Sequence, residues 1–357
     1  MALTKVDQTM VSDQVFGRRN VVINGAMQVA QRGTQTGLGA SSGVYGATDR
    51  FSLVTNGIGG RMTIEQSTDA PNGFGNSVKL SCTTTDTSLA AGDYLSFSTR
   101  LEGRDMQRFK KGTSDAEKFA VSFYVKANAN ATYVCELYDY DNFRHVNQTF
   151  SVTTAWTRVE LSFPADTTGE LDNDINISFA INIYLHAGSN FTGGTLQSTW
   201  GTGYRATGTD NFFDSTDRTL FLTGVQLEVG DNATPFEHLS FGEELVLCQR
   251  YYQKSRDNSP PTQNSFGGIQ INVPSGTDPQ IVIPLHPNMR TSPSTTLYSS
   301  YGSGTSGQWY GLAFGNSFSS NARTHGISSR GFIIDNSDIG SSQAGWCEIG
   351  YVAESEI

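Results

Sequence analysis

The feature that most constrains the fold is a strict alternation of apolar and other side chains at residues 175–186. The odd positions are all apolar: Ile175, Ile177, Phe179, Ile181, Ile183 and Leu185. A repeat of two places successive side chains on opposite faces of a β-strand. The run therefore predicts an antiparallel strand with one face in a core and the other toward solvent.

Shorter runs of the same kind recur between residues 20 and 230, and they predict about ten strands. The predicted strands are residues 21–29, 50–54, 61–66, 78–82, 94–101, 118–126, 132–138, 159–163, 175–186 and 221–229. Turn-rich segments separate them, and no amphipathic helix of crossover length intervenes, which argues against a parallel sheet. Two packed sheets would hide all the apolar faces, so we predict an all-β, antiparallel jelly-roll sandwich.

One helix is predicted after the strands, followed by a smaller β domain. Ser240 and Glu243 have the spacing of a capping box, and apolar residues recur at helical spacing as far as Tyr252, so the helix should end near residue 253. The Ser- and Pro-rich residues 255–261 predict a linker. Beyond them, short strand patterns lie between Gly/Ser tracts, and such a domain is expected to complete its core across a subunit interface.

Composition and charge exclude several classes of protein. Only 16% of the residues are charged and the net charge is -10, which disfavours binding along a nucleic-acid backbone. The basic run at residues 100–118 also carries acidic residues, so we interpret it as a solvated loop. The four cysteines lie far apart, so buried thiols are expected rather than a zinc site. No signal peptide or membrane-spanning stretch is expected, which predicts synthesis in a cytoplasm.

Residues 138–145 are the first candidate binding segment. Sugar recognition needs an aromatic face for the C–H side of the ring and planar polar groups for the hydroxyls. The segment supplies both, and the candidate ligand contacts are Tyr138, Asp139, Tyr140, Asp141 and Asn142, with Phe143, Arg144 and His145 following. The alternative is a polar turn whose aromatic rings pack on a neighbouring strand.

Trp200, Tyr204 and Arg205 form a second candidate, in the Gly/Thr-rich loop at residues 193–210. Exposed aromatic side chains in such a loop are typical of a binding site. Alternatively, Trp200 fills a gap under the loop. Trp309 and Tyr310 are a third candidate, with packing between subunits as the alternative.

Other conspicuous residues have structural interpretations. Trp156 is predicted to lie in the core, Asp49 and Arg50 to form an ion pair at a turn, and Glu228 to lie on a sheet face. A structural Ca²⁺ could take carboxylate ligands, for which the candidates are Asp210, Asp214 and Asp217. Their spacing is not that of an EF-hand loop, so no metal or cofactor is expected. No catalytic motif and no internal repeat is found, and the chain is not expected to be an enzyme.

Several short blocks of the sequence have distinctive motifs: NVVINGAMQVAQRG at 20–33, YGATDRF at 45–51, GVQLEVG at 224–230, ATPFE at 233–237, EL at 244–245, CQRYY at 248–252, and PNMR at 287–290 with Pro293. Together these blocks resemble a widespread family of phage tail and prophage virion proteins. The resemblance implies a virion protein of the tail-fibre or tail-tip type. It also implies a jelly roll similar to carbohydrate-binding modules and a homotrimer.

The expected organisation has four parts: an attachment segment at residues 1–19, a jelly-roll domain at 20–239, a linker helix at 240–254 and a trimerising β domain at 255–357. The expected function is attachment of the virion tail to host surface glycan, with residues 1–19 joined to other tail or baseplate proteins. No nucleic acid or membrane insertion is expected. The alternative is a purely structural virion component, in a capsid decoration or in tail assembly, and a polysaccharide depolymerase is a third hypothesis.

Overall fold

The structure is a computed structural model that describes residues 18–255, 269–273, 280–299, 309–311, 316–318, 322–336 and 345–357. It divides into two units. The first takes the chain up to residue 28, then residues 34–239 and residue 357, and the second takes residues 29–33 and 240–356. Most of the predicted attachment segment lies outside the described residues. Among the described residues, no helix is long and apolar enough to cross a membrane.

The first unit is built from two six-stranded antiparallel sheets. The strands are β1 (Gln35–Leu38), β2 (Val44–Tyr45), β3 (Phe51–Asn56), β4 (Arg61–Ser67), β5 (Ser77–Thr84), β6 (Tyr94–Glu102), β7 (Phe119–Ala127), β8 (Ala131–Asp139), β9 (Arg144–Val152), β10 (Thr157–Phe163), β11 (Ile177–Ala187) and β12 (Thr219–Val229). The first sheet has the order β1-β4-β5-β12-β7-β10, and the second has the order β2-β3-β6-β11-β8-β9.

The strand order is that of a jelly roll. From β5 to β12 the chain passes back and forth between the sheets, and the last strands, β11 and β12, insert between earlier ones in each sheet. Strands β5-β12-β7-β10 thus lie in one sheet and β6-β11-β8-β9 in the other, which is the double Greek key of a jelly roll. The predicted fold class is confirmed.

The core lies between the sheets and contains the apolar face predicted for β11. Phe179, Ile181, Ile183 and Leu185 all belong to the main buried cluster. Phe119 stacks between Phe109 and Phe179, with ring centroids 4.5 Å and 5.5 Å away. The buried thiols of Cys82 and Cys135 belong to the same cluster, as expected.

Two predictions about regular structure were wrong. Residues 21–29 do not form a strand, because Asn24 and Met27 adopt left-handed backbone angles, φ 58° and 56°, that reverse the chain. The basic run is not a solvated loop. It contains α1 (Gly103–Met106) and a 3-10 helix (Gln107–Phe109), and it buries Met106, Phe109 and Lys111.

Trp156 was also assigned wrongly to the core. It lies one residue before β10 and is half-buried, with its indole N–H donating to Asp69 Oδ1 at 3.0 Å. Its ring contacts Phe221 and Lys126. The turn that begins β10 therefore directs Trp156 away from the core.

The second unit begins with the capped helix. The Ser240 hydroxyl accepts from Glu243 N, and the Glu243 carboxylate accepts from Ser240 N, so the capping box is confirmed. The helix, α2 (Phe241–Gln249), ends earlier than predicted because Tyr252 begins a strand that pairs with the last strand of the chain. The helix belongs to the second unit. From residue 256, the predicted linker lies outside the described residues.

The strands of the second unit form two antiparallel sheets over a small core. They are β13 (Tyr252–Lys254), β14 (Ile269–Val273), β15 (Gln280–Pro284), β16 (Ser294–Ser299), β17 (Trp309–Gly311), β18 (Asn316–Phe318), β19 (Ala322–Ser328), β20 (Gly331–Asn336) and β21 (Gly345–Glu354). Strand β21 pairs with β13, β14, β16 and β17, and β20 lies between β15 and β19. Trp309 and Tyr310 lie in β17, with side chains outside the described part.

Candidate functional site

A long loop covers the outer face of the second sheet. This covering segment, residues 188–213, starts with one short helical turn at Ser189–Thr192. Phe191, Leu196 and Ala206 pack on Val134 and Tyr184 of the sheet. The even positions of β11, predicted to face solvent, are therefore buried. The alternation predicted the strand correctly, but it did not predict that another segment covers the second face of the strand.

Polar side chains form a row across four strands beneath the covering segment. Strand register places Ser98, Asn182, Glu136 and Asn147 side by side. The Ser98 hydroxyl donates to Asn182 Oδ1 at 2.6 Å, and the Asn182 amide donates to Glu136 Oε2 at 2.8 Å. Buried polar groups cost free energy unless they are paired, and these two hydrogen bonds pair Ser98, Asn182 and Glu136.

Arg205 attaches the covering segment to this row. Its Nε and Nη2 donate to the two carboxylate oxygens of Glu136, both at 2.7 Å. Burial by itself would lower the pKa of Arg205, but the charge of Glu136 raises it, so the guanidinium stays charged. A bidentate pair of this kind fixes both orientation and distance.

Two tyrosines lie against the same guanidinium. The rings of Tyr138 and Tyr140 are 4.7 Å apart, and Arg205 Cζ is 4.4 Å from the centre of the Tyr138 ring. Both tyrosines are half-buried. Burial raises the pKa of each phenol, so both hydroxyls stay protonated and able to donate at neutral pH. Tyr138, Tyr140 and Arg205 are called the tyrosine patch below.

A buried charge cluster fixes the hairpin that carries the tyrosines. Lys111 Nζ is paired with Asp139, lies 3.2 Å from Asp166 Oδ2 and donates to Gly169 O at 2.7 Å. Arg144 Nε donates to Asp166 Oδ2 at 3.0 Å. Asp139 is fully buried, so the prediction that it contacts a ligand is corrected: its carboxylate pairs with Lys111. Lys111, Asp139, Asp166 and Arg144 are called the Lys111 cluster below.

The turn after β8 is held by a neighbouring loop. Asn142 Nδ2 donates to Asp139 Oδ2 at 3.0 Å and to Glu170 O at 2.9 Å. Asp141 Oδ2 accepts from Asp172 N at 2.9 Å. Asn142 and Asp141, both predicted ligand contacts, thus use these polar atoms to position the turn.

Trp200 packs inward, as in the alternative interpretation in which it fills a gap under the loop. Its ring packs on the core near Phe119 and Phe179, and its N–H donates to Pro164 O at 2.7 Å. It therefore fills the space under the covering segment. Tyr204 remains exposed, with 39% of its surface accessible.

Two of the three candidate calcium ligands, Asp210 and Asp214, are used in other contacts. Asp214 accepts from Arg218 Nε at 2.6 Å, and Asp210 Oδ2 accepts from Thr132 N at 2.7 Å. Within the described ranges, no group of three or more His, Cys, Asp or Glu side chains is placed to hold a metal ion. The structure does not assemble Asp210, Asp214 and Asp217 into a ligand set.

The sequence blocks at the two ends of the first unit meet in one buried cluster. Asn20 Oδ1 accepts from Leu227 N at 3.1 Å, and its amide donates to Val225 O at 3.1 Å. Glu237 Oε2 accepts from Asn20 N at 2.8 Å, and Val225 N donates to Gly25 O at 3.0 Å. These contacts close the fold. The five residues that make them are called the terminal cluster below: Asn20, Gly25, Val225, Leu227 and Glu237.

Residues of the motif at 45–51 also make hydrogen bonds within the fold. Arg50 is almost fully buried with φ 71°, and its Nη2 donates to Arg100 O at 2.8 Å. Asn24 Nδ2 donates to Asp49 O at 2.9 Å. Glu228, predicted on a sheet face, is buried and accepts from Thr234 N at 2.7 Å.

The Lys111 cluster predicts a dependence of stability on pH. Burial by itself would raise the pKa of Asp166, but hydrogen bonds from Arg144 and Thr168 and the charge of Lys111 lower it below 3.8. Because the folded-state pKa is the lower one, the stabilisation is complete above the unfolded-state pKa and is lost as pH falls through the folded-state value. Denaturant unfolding should show Asp166→Asn less stable than wild type at neutral pH, with the difference shrinking below about pH 4. An unchanged difference at acidic pH would contradict this.

Comparisons with known proteins find similarity to solved structures. No protein-family model matches the chain, and no curated protein sequence matches it. Among solved structures, a family 4 carbohydrate-binding module is 11% identical over 58% of this chain and 98% of its own, with a TM-score of 0.30. A family 11 module of a Clostridium thermocellum cellulase is 15% identical over 58% and 98%, with a TM-score of 0.27. The module TmCBM61, solved with β-1,4-galactotriose, is 10% identical over 60% and 100%, with a TM-score of 0.29. The assignment of the jelly roll rests on the strand order, not on these likenesses.

Proposed function

We propose that the chain is a glycan-binding protein of a bacteriophage virion, of the tail-fibre or tail-tip type, which attaches the particle to host surface polysaccharide. The observation that carries the glycan part is the tyrosine patch. Two half-exposed aromatic rings 4.7 Å apart adjoin a guanidinium held by a buried carboxylate. An aromatic face beside fixed polar groups is the combination that a sugar ring requires.

The chemistry of the patch suits weak, repeated contacts. The exposed part of each ring could contact the C–H side of a pyranose, while the phenol hydroxyls and the guanidinium could donate to sugar hydroxyls. Because Arg205 is fixed on Glu136, little side-chain entropy is lost on binding. In a homotrimer, three weak sites would gain avidity of about 10²–10⁴ on a polymeric glycan.

The virion part of the proposal rests on the sequence blocks. In the fold, the opening and closing blocks meet in the terminal cluster. Residues 1–19 would attach the chain to other tail or baseplate proteins. The proposal is for binding without cleavage and without a cofactor.

A second candidate function is a purely structural virion component, in a capsid decoration or in tail assembly. The covering segment favours it, because this segment buries much of the outer face of the second sheet and uses Trp200 and Arg205 in internal contacts. In that case the chain would bind other virion proteins tightly and would not bind host cells.

Binding of the purified full chain to host cells and to their extracted polysaccharide tests the proposal. Replacing Tyr138 and Tyr140 together with alanine should weaken binding about tenfold, at roughly 0.5–1.5 kcal/mol per aromatic contact. Trp156→Ala, which removes a half-buried aromatic residue next to the other sheet, is the matched control and should bind like wild type.

Three outcomes would contradict the proposal. Wild-type protein that binds neither cells nor polysaccharide would remove glycan binding. Immunogold labelling of particles on the capsid would favour the structural alternative. Release of reducing ends from the polysaccharide would show depolymerase activity.

A further inference from the structure

The tip of the β8–β9 hairpin presents an exposed aromatic side chain. Phe143 lies between the end of β8 at Asp139 and the start of β9 at Arg144, and 69% of its surface is exposed. Among the described residues of the first unit, no other large apolar side chain is as exposed; the next are Tyr204 at 39% and Leu89 at 38%. Burial against the body of the domain therefore does not explain a phenylalanine here.

The backbone at this position is also unfavourable for phenylalanine. Phe143 has φ 55°, in the left-handed region that glycine and asparagine adopt at lower cost. A bulky side chain there is strained, and hairpin turns commonly place glycine at such a position. Two independent preferences, exposure and backbone conformation, thus disfavour the residue. Places where a sequence breaks local rules without structural compensation are where function is expected.

The tip is held rigidly from both sides. On one side, Asp139 is paired with buried Lys111 and accepts from Asn142 N at 3.0 Å. On the other, Arg144 is bound to Asp166. A ring on so fixed a turn loses little conformational freedom when a ligand covers it, which favours binding.

The charge around the tip restricts the ligand. Asp141 lies in the turn, and Glu170 and Asp172, both exposed, contact the turn through their backbone groups. The two cations that hold the tip, Lys111 and Arg144, are already paired with carboxylates. This acidic rim would repel a uronate or a sialic acid.

We propose that Phe143 is a binding residue of the chain's glycan site, and that its ring stacks on the C–H face of an uncharged hexose. The inference rests on the function proposed above, and it names both the contact and the sugar class. Phe143 belongs to the same hairpin as Tyr138 and Tyr140 of the tyrosine patch, so one glycan chain could contact all three.

The test measures binding of the full chain to immobilised galactan, β-glucan and mannan, which are uncharged, and to polygalacturonate and alginate, which are anionic. Wild type should bind at least one uncharged polymer and neither anionic one. Phe143→Gly should bind that polymer about tenfold more weakly or worse. Its Tm should be equal to that of wild type or roughly 2–4 °C higher, because glycine relieves the backbone strain.

Two further variants make the result specific. Phe143→Trp keeps an aromatic face and should retain binding. Leu89→Ala removes an exposed apolar side chain elsewhere and should change affinity less than about twofold. A loss of binding with gained stability is the signature of a binding residue, since removal of a structural residue would lower both.

Each result decides a different question. If wild type binds an uncharged polymer and Phe143→Gly binds it equally well, the inference fails while the proposed function stands. If wild type binds only the anionic polymers, the assigned sugar class is wrong. If Phe143→Gly keeps glycan binding but no longer assembles into particles, Phe143 contacts a virion protein instead. If wild type binds no polysaccharide and no cells, the proposed function fails and the inference with it.

Discussion

Replacing Lys111 with methionine is expected to lower the free energy of unfolding of the first unit by about 3–5 kcal/mol. The Lys111 and Asp139 side chains are both fully buried, and Asp166 lies 3.2 Å from the same ammonium group. Methionine fills a similar volume but leaves the buried Asp139 carboxylate without its cation, while Asp166 keeps Arg144. Removing one partner of such a cluster costs more than the cluster contributes, because the remaining charges cannot regain water.

Urea unfolding can measure this loss, and the neighbouring residue is the control. Lys110 has a side chain that is 53% exposed and paired with Glu117 on the surface, so Lys110→Met should change stability by no more than about 1 kcal/mol. The double variant Lys111→Met with Asp139→Leu should recover part of the loss, since it removes the unpaired charge of Asp139. If Lys111→Met unfolds like wild type, the cluster does not stabilise the fold.

Replacing Gly25 with alanine is expected to lower stability by roughly 1–3 kcal/mol or more, through overpacking. A Cβ atom at Gly25 would lie 2.1 Å from the backbone oxygen of Val225, which is too close to accommodate without moving the chain. That movement would also disturb the hydrogen bond from Val225 N to Gly25 O. The substitution would thus lower stability by disturbing the contacts of the terminal cluster.

Thermal unfolding should show a fall in Tm of roughly 2–4 °C per kcal/mol for a domain of this size. Gly75→Ala is the matched control, because a Cβ there meets nothing within 4 Å. A Gly25→Ala protein that melts with the Gly75→Ala control would show that the terminal cluster tolerates a shift of the chain.

Local sequence patterns correctly predicted the elements whose structure does not depend on residues far away in the sequence. The alternation at β11 identified Phe179, Ile181 and Ile183 as core residues, because side-chain period alone decides the face. The capping box at Ser240 was equally local. The segment at residues 21–29 was predicted wrongly as a strand, because its backbone bonds to the Asn20 side chain and to residues about two hundred positions further along.

In the candidate site too, the sequence identified residues that lie within one short segment and missed those with distant partners. Tyr138 and Tyr140 were identifiable because their chemistry and spacing lie within one short segment. Glu136 was missed, since it lies among apolar residues and its partner Arg205 is 69 positions away. Lys111 was hidden in a charged run, and nothing local distinguishes it from Lys110. Asp139 was therefore assigned to a ligand because the sequence does not show which lysine it meets.

The terminal cluster has a consequence for how such a domain can be rearranged. Because Glu237 accepts hydrogen bonds from Arg19 N and Asn20 N, the chain enters and leaves the jelly roll at one place. A domain with adjacent ends can be inserted into a loop of another protein, or exchanged for a relative, without stretching the flanking chain. Recombination that cuts on either side of this contact would transfer the whole sandwich with its closure intact.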